Sequence, residues 1–319
     1  MTTQKPALLQ LLPFPVLPEF EERITRDFKV IQLWKESDPD AAIRAHQDDI
    51  TVLVTSAMTS TPGTLIDKLP NLQAICSNGV GYDSIDVKHA QQKGIQVSNT
   101  PDVLNDCVAD LTWGLILATA RSMGRAERYA RANLWGSGSP LPPATKVTGK
   151  RLGIVGLGRV GQAIAERSAG FRMEVRYHNR RPRPDAAWAY ESSLIDLARW
   201  ADFLVIATVG GQSTRKLIDQ AVLEALGPKG ILINIARGSV VDEEALVNTL
   251  LNGQLGAAGL DVFENEPNIP DQLKNLENVV IVPHIASATI ETRQAMASLV
   301  LDNVDAFART GKVITPIGA

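Results

Sequence analysis

Short apolar runs alternate with segments that fit helices along the first hundred residues of the chain. Strands that alternate with helices are typical of βαβ units, which build a parallel sheet. The predicted strands are residues 7–12, 28–33, 51–55, 72–76 and 94–98, and the predicted helices include residues 65–69 and 86–93. The N-terminal part of the chain is therefore expected to form an α/β domain of its own.

A second series of alternating elements follows a glycine- and proline-rich loop at residues 136–143. Before this loop, the apolar positions of residues 104–131 predict one long helix with a buried face. After it, apolar runs predict strands at residues 151–155, 173–178, 203–207, 231–235, 257–260 and 279–282. Their near-continuous apolar character is typical of a parallel sheet that is covered on both faces. A last helix is predicted to begin near residue 288 and to return to the first domain.

The length of 319 residues suggests two domains, and a hydrophobic content of 45% is enough for sizeable cores. We place residues 1–99 and 288–319 in one domain and residues 100–287 in a second domain that is inserted into the first. The sequence thus predicts an α/β protein with two domains, each of which is built around a parallel sheet.

The sequence GLGRVG at residues 156–161 lies between a predicted strand and a helix-forming run. This strand–turn–helix context is the one that a dinucleotide-binding fingerprint requires. Gly156 permits the tight turn, Gly158 lets the backbone approach a pyrophosphate, and Gly161 lets helix and strand pack closely. The phosphates would lie at the helix N-terminus, where N–H groups and the helix dipole favour negative charge. The alternative is a glycine turn with a structural role alone.

The residues after the next predicted strand bear on the choice of cofactor. An NAD site usually has an Asp or Glu there, about 20 residues after the glycines, which binds the ribose 2′-hydroxyl. Here Asn179, Arg180 and Arg181 occupy that place, and no carboxylate is present. Arginine side chains are suited to a 2′-phosphate, so the sequence favours NADP(H). The alternative is a solvated basic turn without a ligand.

Three further residues are candidates for chemistry. Arg237 and His284 each follow an apolar strand closely, and open α/β sheets bind ligands at the carboxyl ends of their strands. Arginine suits a carboxylate, and imidazole suits a general acid near neutral pH. Glu266 lies in the acidic loop between these strands, where a carboxylate would orient the imidazole. The alternatives are an arginine that only reaches solvent, a structural histidine and a solvated acidic loop.

Composition and charge exclude several classes of function. The net charge of −3 gives no general attraction to nucleic acid or to membranes. No stretch approaches the ~18 consecutive apolar residues of a membrane span, and we see no signal peptide. The two cysteines, Cys76 and Cys107, have no metal or redox spacing. We therefore expect no bound metal and a cytoplasmic location in a reducing compartment.

Taken together, these motifs resemble the D-isomer-specific 2-hydroxyacid dehydrogenase family. The resemblance rests on GLGRVG, NIARG, GLDVFENEP and VVIVPHIAS in this order, and NGVGYD at residues 78–83 is similar to the family's substrate loop. It covers essentially the whole chain. The stretch after the second strand of the inserted domain most resembles the glyoxylate/hydroxypyruvate reductase branch, which includes 2-ketogluconate and hydroxyphenylpyruvate reductases. The resemblance implies two Rossmann-like domains: a flavodoxin-like substrate domain and an inserted, doubly wound NAD(P)-binding domain.

The resemblance also implies roles for individual residues. Arg237 would bind the substrate carboxylate and polarise the keto oxygen, His284 would donate the proton, and Glu266 would pair with His284. The backbone N–H groups of Val80 and Gly81 would add contacts to the carboxylate. Further cofactor contacts would come from Arg159, Val160, Val209, Ile235, Asp261, Ala286 and Ser287. The loop at residues 208–214 departs from the family pattern.

The function implied by the resemblance is NADPH-dependent reduction of short 2-keto acids to D-2-hydroxy acids by a homodimer. Trp135 is a candidate to enter the partner's active site, although dimer packing alone is an equal alternative. Two rival functions stay open. One is an NAD-dependent dehydrogenase of the phosphoglycerate or lactate type, and the other is a dinucleotide-sensing binding protein, like the corepressors that resemble this family.

Overall fold

The computed structural model describes residues 5–138 and 140–318. The chain divides into two compact units. Unit 1 contains the described residues up to Leu104 and those from Thr289 onward, and unit 2 contains Asn105–Ala288. Unit 2 is thus an insertion within the sequence of unit 1.

Unit 1 contains a five-stranded sheet in which every described strand pair is parallel. The strands are β1 (Ala7–Gln10), β2 (Lys29–Gln32), β3 (Ile50–Ser56), β4 (Ala74–Asn78) and β5 (Gln96–Ser98). Their order is β2-β1-β3-β4-β5, which is the flavodoxin-like order. The helices between them are α1 (Glu19–Asp27), α2 (Pro39–His46), α3 (Gly63–Asp67) and α4 (Val87–Gln92). The five predicted strands are confirmed.

The sheet of unit 1 is buried on both faces. Leu8 of β1 faces one core together with Phe20 of α1, whereas Leu9 faces the opposite core with Leu53 and Ile75. Successive side chains of a strand point to opposite faces, so apolar residues at neighbouring positions require two cores.

Unit 2 contains a seven-stranded sheet in which all the described pairs are parallel. The strands are β6 (Arg151–Val155), β7 (Glu174–His178), β8 (Ala189–Tyr190), β9 (Phe203–Ile206), β10 (Ile231–Asn234), β11 (Ala257–Leu260) and β12 (Val279–Ile281). The order β12-β11-β10-β9-β6-β7-β8 contains the doubly wound pattern of a dinucleotide-binding domain. Six of these strands are those predicted. The two-residue β8 is not among the predictions, because its residues are not buried and form no apolar run.

The helices of unit 2 cover this sheet. They are α5 (Asn105–Ala120), α6 (Met123–Arg131), α7 (Arg159–Arg167), α8 (Leu194–Trp200), α9 (Gln220–Leu226), α10 (Glu243–Leu251) and α11 (Asp271–Asn275). Ser193, Asp219 and Asp242 cap α8, α9 and α10, since each side chain accepts a hydrogen bond from the backbone amide three residues on.

The single long helix predicted over residues 104–131 is wrong, because the structure breaks it into α5 and α6. Ser122 lies between them with a φ of 50°, in the left-handed region that does not continue a helix. The packing explains the break. Trp113 and Ile116 of α5 are buried, whereas α6 has no buried residue, so the packing that holds α5 does not extend into α6.

The last helix, α12 (Ile290–Thr310), belongs to unit 1. Its buried residues Val300, Leu301 and Val304 join the core that contains Phe20 of α1. In the part of the chain that the structure describes, no helix is long and apolar enough to cross a membrane. The same residues contain no group of three His, Cys, Asp or Glu side chains placed to hold a metal ion.

Candidate active site

The parallel register of unit 2 brings the predicted site segments to one edge of its sheet. The strand ends pair across the sheet in a single row: His178, Val155, Ile206, Asn234, Leu260 and Ile281. The loops that follow these residues contain the glycine fingerprint, the basic turn, Arg237, Asp261, Glu266 and His284. Residues that are far apart in sequence therefore lie along the same carboxyl edge.

The glycines of the fingerprint have the geometry that a phosphate-binding turn requires. Gly156 has a φ of 101°, and a Cβ atom there would lie 2.6 Å from the backbone nitrogen of Thr208. A Cβ atom at Gly161 would lie 2.2 Å from the carbonyl oxygen of Gly156, so only glycine lets α7 pack this closely. At Gly158, which precedes α7, a Cβ atom would meet no heavy atom within 4 Å, and this open space suits an approaching pyrophosphate.

The basic turn after β7 has one residue turned toward the fingerprint and two turned outward. The Asn179 Oδ1 atom accepts a hydrogen bond of 2.7 Å from the backbone amide of Leu157, between the first two fingerprint glycines. Arg180 and Arg181 are exposed, and neither forms an ion pair or hydrogen bond with residues 5–138 or 140–318. Asn179 thus supports the turn, while both guanidinium groups are available to an anion.

Arg237 lies three residues after the end of β10, in a turn that Asn234 stabilises. The Asn234 side chain accepts from the backbone amide of Ala236 at 3.1 Å and donates to the backbone oxygen of Arg237 at 3.0 Å. The half-buried Arg237 donates from Nη1 to the carbonyl oxygen of Ala236 at 2.8 Å. These hydrogen bonds explain why the NIARG segment forms a tight turn that directs an arginine to the sheet edge.

His284 and Glu266 form the ion-pair geometry that the sequence predicts. The His284 Nδ1 atom lies 2.8 Å from Glu266 Oε2, and both side chains are largely but not fully buried. The other carboxylate oxygen of Glu266 accepts from the backbone amide of Phe263 at 3.0 Å. Because Nδ1 is used by Glu266, the Nε2 atom of His284 is the one that can reach a substrate.

The charge of Glu266 is stabilised by its surroundings. Burial alone raises the pKa of this carboxyl, whereas the hydrogen bonds from His284 and Phe263 lower it. The positive charges of His284 and Arg237 act in the same direction as those hydrogen bonds. The net pKa of Glu266 therefore lies below its ordinary value, and the side chain is an anion at neutral pH.

Asp261 holds the backbone on either side of the His284 side chain. His284 has a φ of 52°, an unusual left-handed conformation for a residue that is not glycine. The backbone oxygen of Asp261 accepts from the His284 amide at 2.9 Å. The two carboxylate oxygens of Asp261 accept from the backbone amides of the next two residues, Ile285 at 2.7 Å and Ala286 at 3.1 Å. Burial raises the pKa of Asp261, while these amide hydrogen bonds oppose that rise.

Two residues outside the sequence predictions connect the Arg237 turn to the Glu266 loop. A Cβ atom at Gly238 would lie 1.8 Å from the backbone carbon of Phe263, so the two backbones are in direct contact. The Glu243 Oε1 atom accepts from the backbone amide of Glu264 at 3.0 Å. The sequence contains a partial signal, since Gly238 follows Arg237 immediately, but the contact itself joins residues 25 positions apart in the chain.

The remaining predicted cofactor residues of unit 2 lie on the same sheet edge. Ile235 and Ala286 are buried, and Ser287 is half-buried. Val209 is exposed, and its backbone oxygen accepts from the Thr214 hydroxyl at 2.8 Å, which closes the loop that departs from the family pattern. Contact with a cofactor stays a prediction for these residues, as it does for Arg159 and Val160 in the first turn of α7.

The predicted substrate loop belongs to unit 1, where it follows β4. Gly79 has a φ of 136°, and its amide donates to the Thr100 hydroxyl at 3.0 Å. The carbonyl oxygen of Val80 accepts from the side chain of Asn99 at 2.9 Å. Within the described residues, the backbone amides of Val80 and Gly81 have no hydrogen-bond acceptor. Substrate binding by these amides stays a prediction.

Replacement of Glu266 by glutamine is expected to destabilise the protein near pH 7, by about 1–3 kcal/mol, because a charge-assisted hydrogen bond is lost. A carboxyl whose pKa is lowered by folding stabilises the folded state above its unfolded pKa, and this contribution is lost as the pH falls through the folded pKa. The difference between wild type and variant should therefore shrink in acid. Urea unfolding from about pH 7 to about pH 3 measures it.

Glu22→Gln, on the exposed face of α1, is the matched control for this measurement. It removes the same charge without a buried partner, so its effect on the free energy of unfolding should be small at every pH. A Glu266→Gln effect that did not change with pH would contradict the assigned ionisation of Glu266.

The comparisons with known proteins identify the family of the chain. The model of the family described as "D-isomer specific 2-hydroxyacid dehydrogenase, NAD binding domain" matches residues 113–286. The chain belongs to the D-isomer-specific 2-hydroxyacid dehydrogenase family, and the resemblance seen in the sequence is confirmed. The protein is thus an oxidoreductase whose second unit binds a nicotinamide dinucleotide.

Several relatives are similar over nearly their whole length. Glyoxylate/hydroxypyruvate reductase A HPR2 of Arabidopsis thaliana is 42% identical, over 96% of this chain and 98% of the relative. The 2-ketogluconate reductase of Gluconobacter oxydans is 39% identical, over 99% of both chains. A solved structure of the NADPH-dependent glyoxylate/hydroxypyruvate reductase of Sinorhizobium meliloti, with NADP and malonate, is 40% identical. Its TM-score is 0.92, over 99% of this chain and 97% of that one.

Proposed function

We propose that this protein is an NADPH-dependent reductase that converts short 2-keto acids, such as glyoxylate, hydroxypyruvate or 2-ketogluconate, to D-2-hydroxy acids. The observation that carries the proposal is the His284–Glu266 pair, with 2.8 Å between Nδ1 and Oε2, on the same sheet edge as the glycine fingerprint and Arg237. The names of the relatives support the substrate class.

The proposed reaction adds a hydride to C2 of the keto acid and a proton to its oxygen. NADPH, when bound along the fingerprint edge, supplies the hydride. Arg237 binds the carboxylate and stabilises the negative charge that develops on the keto oxygen. His284 donates a proton from Nε2 to this oxygen, which completes the hydroxyl group. Glu266 holds the ring through Nδ1, so that Nε2 faces the substrate.

The preference for NADPH rests on the basic turn. The position where an NAD site has a carboxylate is occupied by Asn179, and the oxygen of this side chain is already bound to Leu157. Arg180 and Arg181 are exposed and have no described protein partner, so they are the proposed ligands of the 2′-phosphate. The Sinorhizobium meliloti structure was solved with NADP, which supports the same choice.

The first test compares oxidation of NADPH and NADH with hydroxypyruvate, glyoxylate and 2-ketogluconate. Turnover with a strong preference for NADPH is the expected result, and the relative values of kcat/KM would rank the three acids. A preference for NADH would favour the NAD-dependent branch instead. Binding of either cofactor without turnover of any acid would favour a dinucleotide-sensing protein.

The double variant Arg180→Ala/Arg181→Ala is expected to weaken NADPH binding by about 10- to 100-fold, because charge-assisted hydrogen bonds to the 2′-phosphate are lost. NADH binding should change little, since NADH lacks that phosphate. Fluorescence titration of each cofactor measures both effects. Arg172→Ala is the control for loss of an exposed positive charge before β7. Equal weakening of NADPH and NADH would contradict the assignment.

We further propose that the protein is a cytoplasmic homodimer. Neither cysteine forms a disulfide bond within the described residues, which fits a reducing compartment. Trp135 is 89% exposed, and such a large exposed aromatic side chain fits a contact with a second copy of the chain. Light scattering on the purified protein gives the oligomeric state directly.

A further inference from the structure

Both ends of the basic turn, residues 179–183, are hydrogen-bonded to one residue of the phosphate-binding turn, Leu157. The backbone amide of Leu157 donates to Asn179 Oδ1 at 2.7 Å, and the backbone oxygen of Leu157 accepts from Arg183 Nη1 at 3.1 Å. Leu157 lies between the first two fingerprint glycines. The two ends of residues 179–183 are therefore fixed to the turn that is proposed to bind the pyrophosphate.

A buried hydroxyl group fixes the far end of the basic turn. Tyr177 of β7 is 1% exposed, and its hydroxyl accepts from the backbone amide of Arg183 at 2.8 Å. The same hydroxyl lies 3.3 Å from the backbone oxygen of Arg183, to which it donates. One side chain thus satisfies both backbone groups of a residue six positions later in the sequence.

Two further interactions complete this arrangement. The Tyr190 hydroxyl donates to the backbone oxygen of Asn179 at 3.1 Å, at the near end of the turn. The guanidinium group of Arg183 also pairs with the carboxylate of Asp185, with 3.1 Å between Nε and Oδ1. The guanidinium group of Arg183 is thus bound to protein partners. Arg180 and Arg181 lie between the two fixed ends, and the described residues provide no partner for either.

We propose that Tyr177 and Arg183 are positioning residues for the choice of cofactor. They fix the ends of the basic turn relative to Leu157, so that Arg180 and Arg181 meet a 2′-phosphate whose position is set by the fingerprint. Neither residue contacts the cofactor in this proposal. The energy gained from two long, mobile arginine side chains depends on how well the backbone beneath them is placed. The inference rests on the proposed preference for NADPH.

Tyr177→Phe tests the proposal, because it removes one hydroxyl and keeps the buried ring. The dissociation constant of NADPH is expected to rise about 3- to 10-fold, because both hydrogen bonds to the backbone of Arg183 are lost and the basic turn is less well placed. That of NADH should stay within about twofold, since Asn179 still holds the fingerprint turn. Tyr129→Phe, on α6, is the matched control and should change neither constant. Equilibrium fluorescence titration of each variant and of the wild type with NADPH and NADH gives these dissociation constants without an activity assay.

A double-mutant cycle shows whether Tyr177 acts through the two arginines. In the Arg180→Ala/Arg181→Ala background, Tyr177→Phe is expected to have no further effect on NADPH binding. The inference would be overturned if Tyr177→Phe weakened NADPH binding as much in that background as in the wild type. It would also be overturned if Tyr177→Phe weakened NADPH and NADH binding equally. If Tyr177→Phe lowers the Tm too far to be titrated, Arg183→Lys takes its place. This variant keeps the charge but cannot bridge Leu157 and Asp185 as a guanidinium fork does, and the same results are expected.

The outcomes separate this inference from the proposed function. A wild type that prefers NADPH, with loss of that preference in Arg180→Ala/Arg181→Ala but no change in Tyr177→Phe, would overturn the inference alone. A wild type that binds NADH as tightly as NADPH would overturn the cofactor choice and the inference with it.

Discussion

His284→Ala is expected to lower kcat for keto-acid reduction by about 10²–10⁴-fold, the usual contribution of a general acid. NADPH should bind as it does to the wild type, because the fingerprint and the basic turn are unchanged. The physical reason is the direction of the imidazole ring. Its Nδ1 atom lies 2.8 Å from Glu266, so the ring can deliver a proton only from Nε2. Without it, the alkoxide that forms at C2 must take its proton from water.

Steady-state kinetics and NADPH titration on the same preparation test this prediction. His46→Ala is the matched control, because His46 is on α2 in unit 1 and has no role in the proposed site. Reduction at a rate near that of the wild type would show that another group donates the proton. A parallel loss of NADPH binding would instead point to a collapse of the loop that Asp261 supports.

Arg237→Gln is expected to lower kcat/KM for the keto acid by about 10²–10³-fold, since preorganised positive charge at a developing oxyanion contributes that much. The dissociation constant of NADPH should change little. Glutamine keeps much of the length of the side chain and removes its charge and its fork-shaped set of donors. Arg237→Lys keeps the charge alone, so its kcat/KM is expected to lie between those of the wild type and the glutamine variant.

Rescue by added guanidinium ion tests the same role of Arg237 in a further variant. Guanidinium should restore part of the activity of an Arg237→Ala variant, in which space for the ion is left, and should not affect His284→Ala. The absence of a loss in Arg237→Gln would show that the substrate carboxylate binds elsewhere. A loss confined to kcat, with the KM of the keto acid unchanged, would show that Arg237 stabilises the transition state and does not add to binding of the substrate.

The sequence predicts this sheet edge well because parallel strands leave strong local signals. Apolar runs locate the strands, and any polar residue just after a run must lie at the carboxyl edge. Arg237 follows β10, and His284 follows β12, for this reason. The fold class, with its two parallel sheets, is confirmed in the same way, since every strand except the two-residue β8 carries its own apolar run.

The contacts between loops leave no such local signal. Tyr177 occupies a strand position where an aromatic residue is expected to be core, and only the structure shows its hydroxyl on the backbone of Arg183. The left-handed backbone of His284 depends on amide acceptors from Asp261, 23 residues earlier. The break at Ser122 escapes prediction because the apolar spacing continues into α6 although no residue of α6 is buried.

The contact at Gly238 has a consequence for the engineering of substrate scope. With no room for a Cβ atom against Phe263, the turn that carries Arg237 and the loop that carries Glu266 behave as one piece. A substitution that moves one of these segments will therefore also move the other. Most members of a library that varies either segment should lose both carboxylate recognition and proton transfer. Randomisation is better directed outside these two segments, with residues 237–238 and 263–266 kept as they are.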